Sequence, residues 1–259
     1  RVRLPYAKAL GVVLRSVVVE REPLYRQHET VTTFAPAAFG LDQTAVAHVG
    51  DDAVGRALDQ LFDADRAALL TDVVVAAVAA FDVALEELHN DSTTVRFCGQ
   101  YPQARGLKLR GKRAPLITYG YSKDHRPDLK QLMFVLTTSD DGGIPVQFRC
   151  EPGNASDSCT HQQTWDALCR AAAQVDFLYV ADCKLASSEN MNYIARKHGR
   201  FITVLPRSRK EDQQFRQRLL KTPHAVDWQE IYIQTKDRVC KGKVVREVID
   251  RVSVCSQEI

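Results

Sequence analysis

The chain has 259 residues, of which 45% are hydrophobic and 26% are charged, and its formal net charge is +3. These values are typical of a globular protein, and without a run of about 18 apolar residues no segment is expected to span a membrane. The seven cysteines include no Cys-x-x-Cys pair, which argues against a structural zinc site and against a disulfide framework. We therefore expect a cytoplasmic protein with reduced thiols.

The charged residues are distributed unevenly along the chain. Residues 51–91 contain ten acidic and two basic residues, whereas residues 96–130 and residues 196–221 each contain nine basic and two acidic residues. Two basic blocks in a nearly neutral protein indicate either a surface that binds an anionic polymer or solvated loops and helix faces. Their position in the fold distinguishes the two interpretations.

The first third of the chain has the pattern of helices. Residues 6–19 are apolar with few helix-breaking residues, and residues 54–88 carry apolar side chains at helical spacing. Residues 1–88 are therefore predicted to form an N-terminal helical domain. Acidic residues can begin two helices in the second segment: Asp51 and Asp52 for the first, and Asp63 or Asp65 for the second.

From residue 89 onward the pattern changes to strands and then to alternating helices and strands. The sequence Asp140-Asp141-Gly142-Gly143 separates two strand-like segments and is typical of a hairpin turn. This order predicts an α/β fold with a mixed sheet flanked by helices. The predicted elements are strands at 93–97, 132–138 and 144–150, a helix at 160–173, a strand at 177–181, a helix from Ser187 or Ser188 to 198, and strands at 201–205, 230–235 and 243–254.

Two aspartates stand at the ends of predicted strands. Asp91 lies on or just before the first strand, and Asp182 directly follows the strand at 177–181. Two carboxylates at the ends of neighbouring strands can converge on a divalent metal, which activates water or an alcohol against a phosphodiester. The alternative is that both are ordinary turn or helix-capping aspartates.

The segments around these aspartates carry longer motifs. They are Asp91-Ser-Thr-Thr-Val95, Gly120-Tyr-Ser-Lys-Asp-His-Arg-Pro-Asp-Leu-Lys-Gln131, Pro152-Gly-Asn-Ala-Ser-Asp157 and Val180-Ala-Asp-Cys-Lys-Leu-Ala-Ser-Ser-Glu-Asn190, with Glu22-Pro-Leu-Tyr25 and Gly50-Asp-Asp-Ala-Val-Gly-Arg-Ala-Leu-Asp59 upstream. With these motifs the chain resembles the DDE transposases of bacterial insertion sequences, in the branch whose catalytic domain contains a β-strand insertion. The resemblance covers nearly the whole chain.

The resemblance implies an RNase H-like catalytic core over residues 89–259. In this family two aspartates and one glutamate hold two Mg²⁺ or Mn²⁺ ions, and the match assigns the aspartates to Asp91 and Asp182. The implied activity is strand cleavage at transposon ends followed by strand transfer into target DNA. The implied partner is double-stranded DNA, bound by a dimer.

The family's glutamate lies beyond the strand insertion, in a Tyr-x-x-Arg-x-x-x-Glu-like pattern that this sequence lacks. No residue is therefore assigned to the third carboxylate, and residues 225–259 are interpreted as the start of the insertion. We expect a chain truncated before the glutamate, or a DNA-binding remnant that cannot cut. In both cases the chain alone should bind DNA without cleaving it in Mg²⁺ or Mn²⁺. An unrelated RNase H-like nuclease of repair or defence is a further alternative.

Basic residues near the predicted core are candidates for contacts with DNA phosphates. One group lies in a glycine-rich loop between Gly99 and Gly120, a second follows this loop, and a third follows the strand after Asp182. The alternative for the loop is simple exposure to solvent. The candidates are Lys108, Arg110, Lys112 and Arg113 in the first group, Lys123, Arg126 and Lys130 in the second, and Arg207, Arg209 and Lys210 in the third.

Overall fold

The computed structural model of the chain describes residues 3–122, 125–222, 228–240 and 243–254. The first third is helical, as predicted, and further helices connect the later strands. No helix in these ranges is long and apolar enough to cross a membrane. The helices are α1 (Tyr6–Val19), α2 (Gln27–Thr33), α3 (Gln43–Val46), α4 (Asp51–Asp63), α5 (Arg66–Phe81), α6 (His161–Ala172), α7 (Ser188–Arg196) and α8 (Lys210–Lys221).

The strands belong to one mixed sheet and two separate hairpins. The hairpins pair β2 with β3 and β8 with β9. In chain order the strands are β1 (Glu87–Phe97), β2 (Lys108–Leu109), β3 (Lys112–Arg113), β4 (Lys130–Ser139), β5 (Pro145–Pro152), β6 (Leu178–Ala181), β7 (Arg200–Thr203), β8 (Gln229–Cys240) and β9 (Lys243–Val254).

The mixed sheet has five strands in the order β5–β4–β1–β6–β7. β1, β4 and β5 are antiparallel neighbours, whereas β6 runs parallel to β1 and β7 runs parallel to β6. The helices α6 and α7 make the connections that parallel strands require. The predicted fold class is therefore confirmed: a mixed sheet flanked by helices, preceded by helices, with β1 and β6 side by side as in an RNase H-like sheet.

One face of the sheet is covered by helices and the other face is open. Leu88 and Tyr179 pack with Trp165 in a buried cluster to which α5, α6 and α7 all contribute. Because side chains alternate between the faces of a strand, the residues between these project to the opposite face. On that open face Phe148 is 46% exposed and Ile202 is 54% exposed.

The helices before α5 have a hydrophobic cluster of their own. Val12 of α1 and Ala57 of α4 are fully buried there, together with Val31 and Phe39 between them. Helix α5 contributes Val74 to the cluster under the sheet instead. The described chain therefore contains two hydrophobic clusters, and α5 packs with the sheet.

The segment from 54 to 88 does not remain helical to its end. Asp65 caps α5 by accepting a hydrogen bond in the first turn, and α5 ends at Phe81, followed by Asp82 in the left-handed region with φ of 51°. Strand β1 begins at Glu87, so Leu88 is a strand residue. The prediction of helix up to residue 88 was wrong because a few apolar positions cannot distinguish helical from strand spacing.

Two other predicted boundaries also change. Gly50 occupies the cap position of α4, so Asp51 and Asp52 lie in its first turn, where negative charge favours the helix N-terminus. Strand β1 starts at Glu87 rather than at Thr93, because it continues along both β4 and β6. As a result, the candidate aspartate of this strand lies within the sheet and not before it.

Several local predictions are confirmed. The four-residue turn with its two glycines at positive φ joins β4 to β5, and Ser187 caps α7 by accepting the N–H of Asn190 at 3.2 Å. The two C-terminal strand segments pair as the antiparallel hairpin β8–β9. Their interpretation as a strand insertion stays a prediction.

Gly199 packs against the buried core between α7 and β7. A Cβ at this position would lie 2.5 Å from Cζ2 of Trp165 and 2.7 Å from Cγ2 of Ile194. We expect Gly199→Ala to lower the free energy of unfolding by about 1–3 kcal/mol, because a packed core accommodates an extra methyl group poorly. In the control Gly55→Ala, within α4, the added Cβ meets nothing within 4 Å, and a gain of about 0.5–1 kcal/mol is expected. Urea denaturation measures both; an unchanged Gly199→Ala variant would contradict the packing described.

Candidate metal centre on the open face of the sheet

Asp91 and Asp182 lie at the same level of the sheet on neighbouring strands. β1 and β6 run parallel, and Asn90 pairs with Ala181 at the last rung of their ladder. Asp91 follows Asn90 within β1, and Asp182 follows Ala181, the last residue of β6. Because neighbouring strands are about 4.8 Å apart, the two carboxylates extend from adjacent backbone positions.

Both aspartates open into one cavity of about 350 Å³. Oδ1 of Asp91 accepts the N–H of Ser92 at 2.7 Å, and Oδ1 of Asp182 accepts the N–H of Lys184 at 2.9 Å. Within the described part of the chain neither Oδ2 accepts a hydrogen bond, so each carboxylate keeps an oxygen for a ligand. The cavity is lined by His89, Asn90, Asp91, Leu136, Thr138, Val180, Ala181 and Asp182.

This donor set fits a hard divalent cation. Two carboxylates provide oxygen ligands and two negative charges, which Mg²⁺ and Mn²⁺ prefer, and the exposure of both side chains lets water complete an octahedral shell. Asp91 and Asp182 are the only carboxylates among the described residues that line the cavity. The cavity is also lined by His89, which shares a strand face with Asp91 because the two residues are two positions apart in β1. This spacing was the sequence signal from which His89 could have been found.

The backbone of Asp182 is held on two sides. Its carbonyl oxygen accepts the hydroxyl of Thr203 at 2.6 Å, and the N–H of Leu185 at 3.1 Å. On the helix-covered face, the hydroxyl of Tyr179 lies 3.0 Å from Nδ1 of His161, and both side chains are buried. These contacts fix the end of β6, from which the Asp182 carboxylate projects.

The buried pair behind the cavity carries no charge at neutral pH. Burial lowers the pKa of His161, against the opposing effect of the Asp182 and Asp157 carboxylates, and burial raises the pKa of Tyr179. A cation bound at the aspartates therefore meets no positive charge from this pair. His161 carries no sequence signal for this position, because only the tertiary fold places α6 beneath β6.

The first group of basic candidates forms the β2–β3 hairpin. Arg110 and Gly111, both at positive φ (50° and 79°), form its turn. The Arg110 guanidinium lies 3.3 Å from Asp59 and 3.0 Å from Asp63, and Lys112 donates hydrogen bonds to two carbonyl oxygens at the end of α4. The hairpin is thus attached to the acidic helix α4 through two of its four basic residues.

The other basic candidates have different surroundings. Arg126 forms a bidentate ion pair with Asp128 at 2.8 and 2.7 Å, and Lys130 donates to the carbonyl oxygen of Gln100 at 2.6 Å. Arg209 binds Glu211 and holds the pKa of that carboxyl at about 2. Lys123 lies outside the described residues. Within the described ranges, the candidates whose side chains form no hydrogen bond or ion pair are Lys108, Arg113, Arg207 and Lys210.

No protein-family model and no curated protein matches this sequence. The chain is similar to the solved Mos1 transposase paired-end complex with left transposon end, with 11% identity and a TM-score of 0.30 over 80% of this chain and 60% of that chain. It is also similar to the piggyBac transposase synaptic complex with hairpin DNA (11% identity, TM-score 0.43, 98% of this chain and 52% of that chain). The Mos1 mariner paired end complex with Mn gives 10% identity and a TM-score of 0.31 over 86% and 65%. The chain spans between 52% and 65% of the length of these proteins. Its fold class follows from the strand order β5–β4–β1–β6–β7 of its own sheet.

Proposed function

We propose that this chain is the DNA-binding and metal-holding part of a DDE-type transposase of a bacterial insertion sequence. The proposed reaction is metal-dependent cleavage of DNA at transposon ends, followed by strand transfer into target DNA. The observation that supports it is the convergence of Asp91 and Asp182 from neighbouring parallel strands on one open cavity. Such a pair of carboxylates can hold a divalent ion that promotes cleavage of a phosphodiester.

In this proposal Asp91 and Asp182 bind Mg²⁺ or Mn²⁺, with two ions in the complete enzyme. A divalent ion at this position activates water or a 3′-hydroxyl and stabilises the charge on the phosphodiester oxygens. Asp91 is oriented by its place within β1, and Asp182 by the hydrogen bonds that Thr203 and Leu185 donate to its carbonyl oxygen. The aspartates thereby keep their spacing when DNA binds.

Double-stranded DNA is the proposed partner, bound by a dimer on DNA. Long basic side chains supply sequence-independent contacts with phosphates. The four candidates without a described side-chain hydrogen bond or ion pair can contact DNA at once. The others first have to exchange a protein partner for a phosphate: Arg110, Lys112, Arg126, Lys130 and Arg209.

A second candidate function is a DNA-binding remnant of such a transposase. It is favoured by the observation that the described residues bring two carboxylates, and no third, to the cavity. Two carboxylates hold one ion, but a second ion lacks a ligand, which removes stabilisation of an oxygen whose charge grows in the transition state. A remnant binds DNA and metal without nicking DNA in Mg²⁺ or Mn²⁺.

Metal-directed radical cleavage tests the proposed function without requiring turnover. Fe²⁺ replaces Mg²⁺, and ascorbate with hydrogen peroxide then generates hydroxyl radicals that cut the chains beside the ion. In a Glu87→Gln background, which removes the carboxylate beside His89, we expect polypeptide cuts within residues 89–92 and 180–183, mapped by mass spectrometry, and cuts in bound duplex DNA. Excess Mg²⁺ and the Asp182→Asn substitution should suppress both, whereas Asp72→Asn on α5 should change neither.

The two arms of this experiment have separate consequences. If the polypeptide is cut only at other positions, the metal does not bind at Asp91 and Asp182 and the proposed site is wrong. If the polypeptide is cut as expected but the bound DNA stays intact, the aspartates bind metal away from the phosphates and the proposed DNA-processing role is wrong.

A further inference from the structure

A second cluster of metal-ligating atoms lies beside the aspartate site. Glu87 and His89 lie on the same face of β1, and Asp140 directly follows β4, the neighbouring strand. Nε2 of His89 is 2.9 Å from Oε1 of Glu87 and 3.4 Å from Oδ1 of Asp140. One ligand atom from each residue lies within 4.8 Å of the others, and this is the only such group of three among the described residues.

We propose that Glu87, His89 and Asp140 form a binding site for a borderline divalent cation of the Zn²⁺ or Co²⁺ class. The proposal concerns a site separate from Asp91 and Asp182 and does not depend on the proposed function. His89 and Asp91 are two residues apart, about 7 Å along the strand. His89 also lines the aspartate cavity, but its Nε2 atom lies 2.9 Å from the Glu87 carboxylate and 3.4 Å from the Asp140 carboxylate.

The spacing of the donor atoms fits a shared ion. Ligands about 2.1 Å from a metal, at angles between octahedral and tetrahedral values, are separated by about 3.0–3.4 Å. The two His89 distances, 2.9 and 3.4 Å, are close to this separation, and the two carboxylate oxygens lie within 4.8 Å of each other. The side chains are between 39% and 69% exposed, so an ion enters from solvent and keeps positions for water.

The backbone holds the three residues in register before any ion binds. Leu88 pairs with Ser139 in the antiparallel ladder, and the N–H of Asp140 donates to the carbonyl oxygen of Glu87 at 3.1 Å. The Ser139 hydroxyl donates to the carbonyl oxygen of Asp141 at 2.7 Å, which holds the turn that begins at Asp140. A cation here would connect β1 to the β4–β5 turn without rearranging the sheet.

The donor types determine which ions bind. An imidazole nitrogen with two carboxylates suits Zn²⁺, Co²⁺, Ni²⁺ and Mn²⁺, whereas Mg²⁺ and Ca²⁺ prefer oxygen ligands alone. In the absence of metal, the Glu87 carboxylate accepts a hydrogen bond from Nε2 of His89. In the bound state the ion takes the place of that proton between the three side chains.

Titration of the untagged full chain with Co²⁺ and with Zn²⁺ tests the proposal. We expect one equivalent to bind with visible Co²⁺ absorption bands and without the intense near-ultraviolet bands of thiolate ligation. Glu87→Gln, His89→Gln and Asp140→Asn should each weaken binding by at least about 10-fold, since each removes one ligand. Zn²⁺ should raise the thermal midpoint of the wild-type chain and leave that of the His89→Gln variant unchanged.

Control variants separate this site from the others. The Asp91→Asn/Asp182→Asn double variant should retain the Co²⁺ spectrum, as should His48→Gln and Asp72→Asn, which lie outside both clusters. Thiolate bands, or affinity unchanged in all three cluster variants, would overturn the proposal. Loss of the spectrum in the Asp91→Asn/Asp182→Asn variant would also overturn it, by assigning the ion to the aspartate cavity.

Discussion

Asp91→Asn and Asp182→Asn are each expected to weaken Mn²⁺ binding in the sheet cavity on the order of 100-fold, because each removes one of two anionic ligands. An asparagine keeps the shape of the side chain and an acceptor oxygen, so the weaker Mn²⁺ binding would result from the lost negative charge and not from altered packing. Electron paramagnetic resonance of free Mn²⁺ measures the affinity. The titration is done in a Glu87→Gln background, so that Mn²⁺ binding at the neighbouring imidazole cluster is weakened.

Two comparisons make this result specific. Asp72→Asn removes an exposed carboxylate of α5 that does not line this cavity, and its Mn²⁺ affinity should equal that of the background. Circular dichroism and thermal midpoints should match across all variants, because Asp91 and Asp182 are exposed and asparagine keeps an oxygen that accepts the N–H of Ser92 or of Lys184. Mn²⁺ affinity preserved in the Asp182→Asn variant would remove the basis for the metal centre.

Removing Lys108 and Arg113 together is expected to reduce the salt dependence of duplex binding by about 2 units of slope, close to 0.9 per lost phosphate contact. Within the described residues these two side chains of the β2–β3 hairpin form no ion pair, so their charges are available to DNA. Fluorescence anisotropy at several salt concentrations, with DNA of unrelated sequences, measures the slope. The affinities for all sequences should fall uniformly, because phosphate contacts carry no base information.

The hairpin itself provides the matched control. Arg110→Ala/Lys112→Ala also removes two positive charges from the hairpin. Arg110, however, binds Asp59 and Asp63, and Lys112 binds the end of α4. A smaller change in slope and a lower thermal midpoint are expected for this pair. For all four residues the sequence alone predicts a change of about 3–4 units, and the α4 contacts reduce this expectation. If both double variants lower the slope equally, the contacts with α4 do not prevent Arg110 and Lys112 from binding DNA. If Lys108→Ala/Arg113→Ala leaves the slope unchanged, the hairpin does not contact DNA phosphates.

Local patterns in the sequence were sufficient for most elements of this chain. The β4–β5 hairpin follows from strand-like segments around a turn with two glycines, and α7 follows from its serine cap. The same local rules failed where α5 ends at Phe81. Apolar residues continue beyond it at a spacing that fits a helix, while the pairing of Leu88 with Tyr179 and Ser139 is what makes that segment a strand.

The sequence by itself determined that Asp91 and Asp182 stand at strand-like segments and that basic blocks lie nearby. Only the tertiary structure decided which of these residues meet. The parallel pairing of β1 with β6 brings the two aspartates into one cavity across 91 positions of sequence, and the register of β1 with β4 places Asp140 beside Glu87 and His89. The attachment of the basic hairpin to α4 likewise joins oppositely charged blocks that are separate in the sequence. Such contacts depend on strand register and helix packing, which arise from burial of the whole core and leave no signature in the short segments that they connect.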